Sequence, residues 1–359
     1  MSVRRNYTAL RAPHVYARMP PNVFQMASSD AGLLRWFYRE ISQDKVDVPS
    51  EGYIHLSECY VVNGRYLLDS DLNWVEETLV DWIVTEEAKH AVVQEIRGRG
   101  WEPANEAGTD WQYITFMSCN SENYGHYLCE AAPKMMHIAR SGHKRVRFLV
   151  PEVCQQFVGF TTRFLAHLGI TAEAVVVPSG WILFFRDILY FTPVSKHNFR
   201  KSETVLEFRH VALSFLSDTD RECRKLFITR APGERHSVSN QAEIAGLLSE
   251  RGFEAVYPGR MTVEEQVRLF SRADQLVGSV GAGMTNMLFC AEGARIFYIS
   301  NALIDLFFWD IAGLCNLKFT WFFAEAPKAF DTLTFSSDYH VDPRELLAAW
   351  QRSMDVTRG

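Results

Sequence analysis

The chain contains no C-x-x-C pair. Its cysteines, Cys59, Cys119, Cys129, Cys154, Cys223, Cys290 and Cys315, are odd in number, and most lie in apolar stretches such as FMSCN and NMLFCA. They read as buried, reduced thiols, not as a disulfide framework or a zinc centre. No apolar run approaches the roughly 20 residues of a membrane-spanning helix. The most apolar stretch, 181–191, is broken by Arg186 and Asp187. The opening residues, MSVRRNYTALRAPHVYARMPPNVF, lack the continuous apolar segment of a secretion signal, so a cytoplasmic setting is expected. Basic residues are not in excess: 37 Lys+Arg against 43 Asp+Glu leave a net charge of −6. A nucleic-acid partner is therefore not expected, and any anion site must be local. There is no internal repeat and no low-complexity segment.

What is present is an ordinary globular composition, 47% hydrophobic and 22% charged over 359 residues, enough for two domains with their own cores. Residues 1–110 read poorly and are partly β-rich, with GYIHLSECYVV and GRYLLDS as short strands and a helix expected at 86–98. From Tyr113 an alternation begins. The pattern predicts strands at 113–119, 146–150 and 174–177, with helices at 123–141 and 152–168. After the polar stretch PVSKHNFRKSE, 193–203, a helix is expected at 204–216. Strands then fall at 226–229, 255–257, 276–279, 295–299 and 318–322. Helices are expected at 240–251, 262–273, from 281, at 304–315 and at 343–354. Asn240 with Glu243, and Thr262 with Glu265, have capping-box spacing.

Strands alternating with helices imply parallel sheets with right-handed crossovers. The expected fold class is α/β, with two doubly wound domains, 1–200 and 201–359. The polar stretch is the boundary, and the last helix is allowed to pack back on the first domain. In such folds ligands bind beyond the carboxyl ends of the strands.

Three segments could carry chemistry. LVGSVGAGMTNMLF runs from a strand through Gly281, Ala282 and Gly283 to Thr285 and Asn286. Glycines admit close backbone approach, and a helix start offers free N–H groups to a diphosphate. The pattern is neither a dinucleotide fingerprint nor a Walker A loop, and it equally describes a tight turn packed for its own sake. LFITRAPGERHSVSN places Arg230 at a strand's carboxyl end, with Arg235 and His236 after it. A guanidinium there can grip phosphate bidentately, or simply be solvated. NYGHYLCEAAP puts His126 and Glu130 on one helix face. An imidazole, with an ordinary pKa near ~6.5, suits a general base, which Glu130 could orient. The alternative is a capping cluster with a structural histidine. Two ligands do not make a metal site. Glu265 and Gln266 read as helix surface, and the FFW at 307–309 and WFF at 321–323 as core.

These segments, in this order, resemble the glycosyltransferase 61 family. The shared pattern is N-x-G-H leading to a proline, T-R with a basic loop and Asn, a Gly-Phe strand, E-Q-V-x-L-F, and G-A-x-x-T-N. It covers about residues 110–325 and is strongest over 224–296. The resemblance implies a GT-B-like fold of two facing Rossmann-like domains. It also implies an inverting, metal-independent glycosyltransferase that needs no cofactor beyond a nucleotide-diphosphate sugar. The acceptor domain would be the first and the donor domain the second.

Carried residue by residue, Arg230, Gly281, Ala282, Thr285 and Asn286 fall to the donor diphosphate, with Arg235 and Gly283 beside them. Asn123, Gly125 and His126 match on the acceptor side. The acceptor would be a glycan or a lipid-linked glycan in capsule, lipopolysaccharide or exopolysaccharide assembly, with peripheral contact at the inner face of the membrane. Many relatives have His where this chain has Val280, and an acid where it has Tyr298. Those departures keep open a non-catalytic nucleotide- or sugar-binding partner, and a nucleotide-sugar epimerase on the same architecture is the alternative enzyme.

Overall fold

The computed structural model describes residues 6–26, 28, 30–79, 84–105, 108–197, 200–216, 222–230, 238–327 and 338–355. The chain divides into two compact units, Met1–His14 with Pro49–Lys196, and Val15–Val48 with His197–Gly359.

The first unit is built on a seven-stranded sheet in the order Tyr7–Arg11, Glu51–Val62, Ile182–Phe191, Gln112–Thr115, Arg145–Pro151, Thr171–Val177, with Tyr66–Leu68 also paired to Glu51–Val62. The last four strands of that order run parallel, whereas Glu51–Val62 is antiparallel to each of its three partners. This corrects the expectation of a doubly wound parallel sheet. The early residues supply a meander instead of βα units, because Asn63 and Gly64 both take positive φ, 54° and 72°, and turn the chain straight back. Ile182–Phe191, which is not among the predicted strands, pairs along nearly its whole length with Glu51–Val62. Phe185 and the whole of Ile188–Phe191 are buried, while Arg186 is exposed.

The second unit carries a six-stranded, all-parallel sheet: Phe253–Val256, Arg224–Ile228, Ala273–Ser279, Arg295–Ser300, Lys318–Phe323 and Asn22–Phe24. The capping box predicted at Thr262 and Glu265 is present on the helix Val263–Phe270. Asn240 caps differently from expectation. Its side chain makes no cap bond but holds the backbone of Val341 in both directions, at 2.8 and 3.1 Å. The segment expected to begin an α-helix at Gly281 is a 3-10 helix, Ala282–Phe289. The last helix, Pro343–Asp355, packs within this unit, with Trp350 edge-on to Phe253 at 6.0 Å.

Residues 15–48 join the second unit through contacts no local pattern reveals. Asp30 caps the helix Ala31–Ile41, which inserts Phe37 edge-on against Trp321 at 5.4 Å. Asp310 is fully buried and accepts from Tyr16 Oη at 2.5 Å, Arg18 Nη1 at 3.1 Å and Lys201 Nζ at 3.3 Å. Arg18 also lies over the Trp309 ring at 4.2 Å and Lys201 over Phe307 at 4.3 Å. The rings and the carboxylate together offset the desolvation of two cations. The FFW and WFF triplets are core, as expected.

Candidate active site

In the first unit the chain leaves Gln112–Thr115 and turns into a helical segment at Tyr124–His126. Asn123 caps that start, its Oδ1 accepting from Gly125 N at 2.9 Å. Gly125 is buried. Both residues therefore shape the turn that presents His126. The next turn, Tyr127–Ala131, is π-helical, with Ala132 N donating to Tyr127 O at 2.8 Å. Such widened turns recur at functional sites. Glu130 Oε1 lies 3.0 Å from His126 Nδ1, and both side chains are partly buried.

Sequence reasoning missed Lys134. It is fully buried on the helix Lys134–Arg140 and donates from Nζ to Phe116 O at 3.0 Å and Ser118 Oγ at 3.1 Å. Ser118 Oγ in turn reaches Glu130 O at 3.4 Å. Burial pulls the Lys134 ammonium down to about 7, against the opposing pull of Glu130. The apolar run that follows it, MMHI, was the signal that this helix face points inward.

In the second unit the topology brings Arg230 and Gly281 together at the carboxyl ends of adjacent strands, where Ile228 and Gly278 are register partners. Arg230 Nη2 donates to Val280 O at 2.6 Å. Its backbone N and O are both bonded to the Gln241 side chain at 2.9 Å. Gly281 has φ 147° and ψ 166°, a region open essentially to glycine alone. A Cβ there would sit 1.8 Å from Arg230 Nη2. The glycine is thus required by backbone shape and by the arginine lying over it. Ala282 and Gly283 follow, partly exposed. Arg235 and His236 lie outside the described residues.

Thr285 and Asn286 are fully buried. Asn286 Nδ2 donates to Gln266 Oε1 at 2.6 Å and Gly283 O at 3.0 Å, and Gln266 reaches Met261 O at 3.1 Å. Gln266, expected on the surface, is buried and ties its helix to the glycine turn. The structure thus gives Asn286 a fixed internal role at the base of the turn.

Val280 is buried and its carbonyl anchors Arg230. Tyr298 is fully buried among Phe308, Phe319 and Trp321, at 4.9, 5.7 and 5.8 Å between centroids. Burial raises its hydroxyl pKa well above the usual value. In this chain the position is core, so a tyrosine there fills space that a carboxylate could occupy only at a large desolvation cost. Tyr339 was also missed. It is buried against the same strand ends, with its Oη 3.3 Å from Ile299 O and its backbone paired to Val238 and Ser239.

All seven cysteines are free, and only Cys223 is exposed. Among the described residues no helix is long and apolar enough to cross a membrane.

These features are those of an α/β protein with one polar cluster after a parallel strand in each unit. The Glycosyltransferase 61 family model matches residues 124–297, from the turn that carries His126 to the strand that carries Tyr298, and this match supports assigning the chain to that family. The match indicates a glycosyltransferase, which implies a sugar donor and an acceptor. No curated protein matches the chain.

Proposed function

We propose that this protein is an inverting glycosyltransferase that moves a sugar from a nucleotide-diphosphate donor to a hydroxyl of a glycan or glycolipid. The pathway would be capsule, lipopolysaccharide or exopolysaccharide assembly. The observation that carries the reading is the 3.0 Å pairing of His126 Nδ1 with Glu130 Oε1. A carboxylate on Nδ1 fixes the tautomer and stabilises the imidazolium, so Nε2 is the nitrogen suited to take a proton.

In the proposed step His126 Nε2 accepts the proton of the acceptor hydroxyl as its oxygen bonds to the anomeric carbon. The carbon–oxygen bond to the diphosphate breaks, and its electron pair leaves with the phosphate oxygen. Arg230 and the backbone N–H groups following Gly281 meet that growing charge, with Arg235 assisting. A single displacement inverts the anomeric centre. As proposed, this displacement calls on no metal ion.

The test begins with a thermal-shift screen of UDP-, GDP-, CMP- and dTDP-sugars, since a ligand of the native state raises the melting temperature. Product analysis with and without added acceptor follows. Acceptor-dependent transfer with inversion supports the proposal. Isomerised donor without acceptor would make the protein an epimerase. Tight nucleotide binding with no turnover would make it a binding partner.

A further inference from the structure

Trp181 is an exposed aromatic on a rigid mount. Its side chain lies on the turn between Thr171–Val177 and Ile182–Phe191, and the residue is 57% exposed. The turn is pinned at three points. Gly180 N donates to Asn63 Oδ1 at 2.7 Å, Asn63 N to Trp181 O at 2.9 Å, and Trp181 N to Pro178 O at 3.2 Å. These bonds fix the backbone that carries the exposed indole.

Trp181 borders a cavity of about 510 Å³ within the first unit, a volume in the range of small-molecule sites. Trp101 also lines it, its indole Nε1 donating to Ile96 O at 2.9 Å and its ring lying under the Arg99 guanidinium at 5.7 Å. Phe184 completes the aromatic lining, and Tyr60 backs it, 5.1 Å from Phe184 and 5.7 Å from Trp101. Polar groups share the same lining. Arg99 pairs with Glu95 at 3.2 Å, and Glu102 is exposed beside them.

Aromatic faces interleaved with carboxylates and a guanidinium suit a polyol. The C–H face of a pyranose packs on indole, and planar bidentate groups bond to neighbouring hydroxyls. Two carboxylates against one guanidinium disfavour an acidic glycan and an anionic lipid surface alike. Trp101 and Ile182 of this lining belong to the same hydrophobic cluster as Cys119, on the loop that leads to Asn123 and His126. The groove is therefore built on the scaffold that holds the proposed base.

We infer that the Trp101–Trp181 groove is a binding subsite for a neutral oligosaccharide. Its role as the acceptor's subsite rests on the glycosyltransferase reading; its binding of glycan does not.

The experiment titrates the full-length protein with neutral oligosaccharides of two to six sugars, namely the cello-, malto-, xylo-, chito- and manno- series. Tryptophan fluorescence and a glycan array give the readout, and nucleotide-diphosphate affinity is measured in parallel. At least one series binds saturably, Trp181→Ala weakens it by about tenfold or more, and Trp181→Phe retains most of the affinity. Glu102→Gln weakens binding without changing thermal stability. The inference is overturned if no series binds, or if Trp181→Ala binds as wild type. It is also overturned if the substitution instead abolishes sedimentation with phosphatidylglycerol–phosphatidylethanolamine vesicles or self-association. Loss of the groove's binding alone leaves nucleotide affinity unchanged. Glycan binding without donor-dependent transfer refutes the transferase reading and leaves the subsite standing.

Discussion

Replacing Gly281 by alanine perturbs the donor side at one atom. The residue's φ of 147° and ψ of 166° lie where an L side chain is strained, at a cost of about 1–3 kcal/mol. The new methyl would also lie 1.8 Å from Arg230 Nη2, so the guanidinium must leave Val280 O. A hydrogen bond from a charged donor contributes about 1.5–3 kcal/mol. The two effects together predict a loss of about 2.5–6 kcal/mol for Gly281→Ala.

They separate in a double-mutant cycle. With Arg230→Ala as the background the methyl has space, and Gly281→Ala should cost only its backbone share. A coupling of about 1.5–3 kcal/mol is expected between the two positions. Urea denaturation followed by tryptophan fluorescence and circular dichroism supplies the free energies. A cost for Gly281→Ala that is the same in both backgrounds would refute the argument that the arginine lies over the glycine.

Lys134 predicts a pH dependence. Its ammonium is lowered in the folded state to about 7 from the usual 10.5, so between those values the unfolded chain binds the additional proton. Stability contributed at this site therefore rises with pH across that window, and the cost of the charged lysine is fully present below it. The difference between wild type and Lys134→Met should change by up to about 1.4 kcal/mol per pH unit there, and a flat difference curve would contradict the burial argument. Asp310→Ala leaves the buried Lys201 and Arg18 without their carboxylate, and should destabilise the second unit by about 3–5 kcal/mol. Calorimetric unfolding showing a loss below about 1 kcal/mol would exclude a cluster that pairs its charges as described.

The second half of the chain was legible because its cues are local. Thr262 and Glu265 announce a helix start by spacing alone, and each strand from Arg224 onward is followed by a helix signal. The meeting of Arg230 and Gly281 also follows from topology, since neighbouring parallel strands end side by side. Residues 15–48 were not legible. Tyr16 and Arg18 owe their places to Asp310, nearly three hundred positions away, and no window of sequence holds both partners. Asn286 looked like a ligand group because its partner Gln266 sits on another helix. Tyr298 looked like a lost ligand contact because strand position alone does not say which residues the helices cover. His126 and Glu130 were legible as a pair from their i, i+4 spacing, but Lys134 beneath them was not. A lysine in a helix reads as solvated until its helix face is known to be buried.

In the proposed mechanism His126 removes the acceptor's proton and the cluster around Arg230 binds the donor. Turnover and nucleotide-diphosphate affinity of His126→Ala, measured on the same preparation by product formation and calorimetry, test it most directly. Turnover should fall by about 10²–10⁴-fold, with affinity within about twofold of wild type. Turnover close to that of the unaltered protein, or loss of nucleotide binding on removing this imidazole, would contradict it.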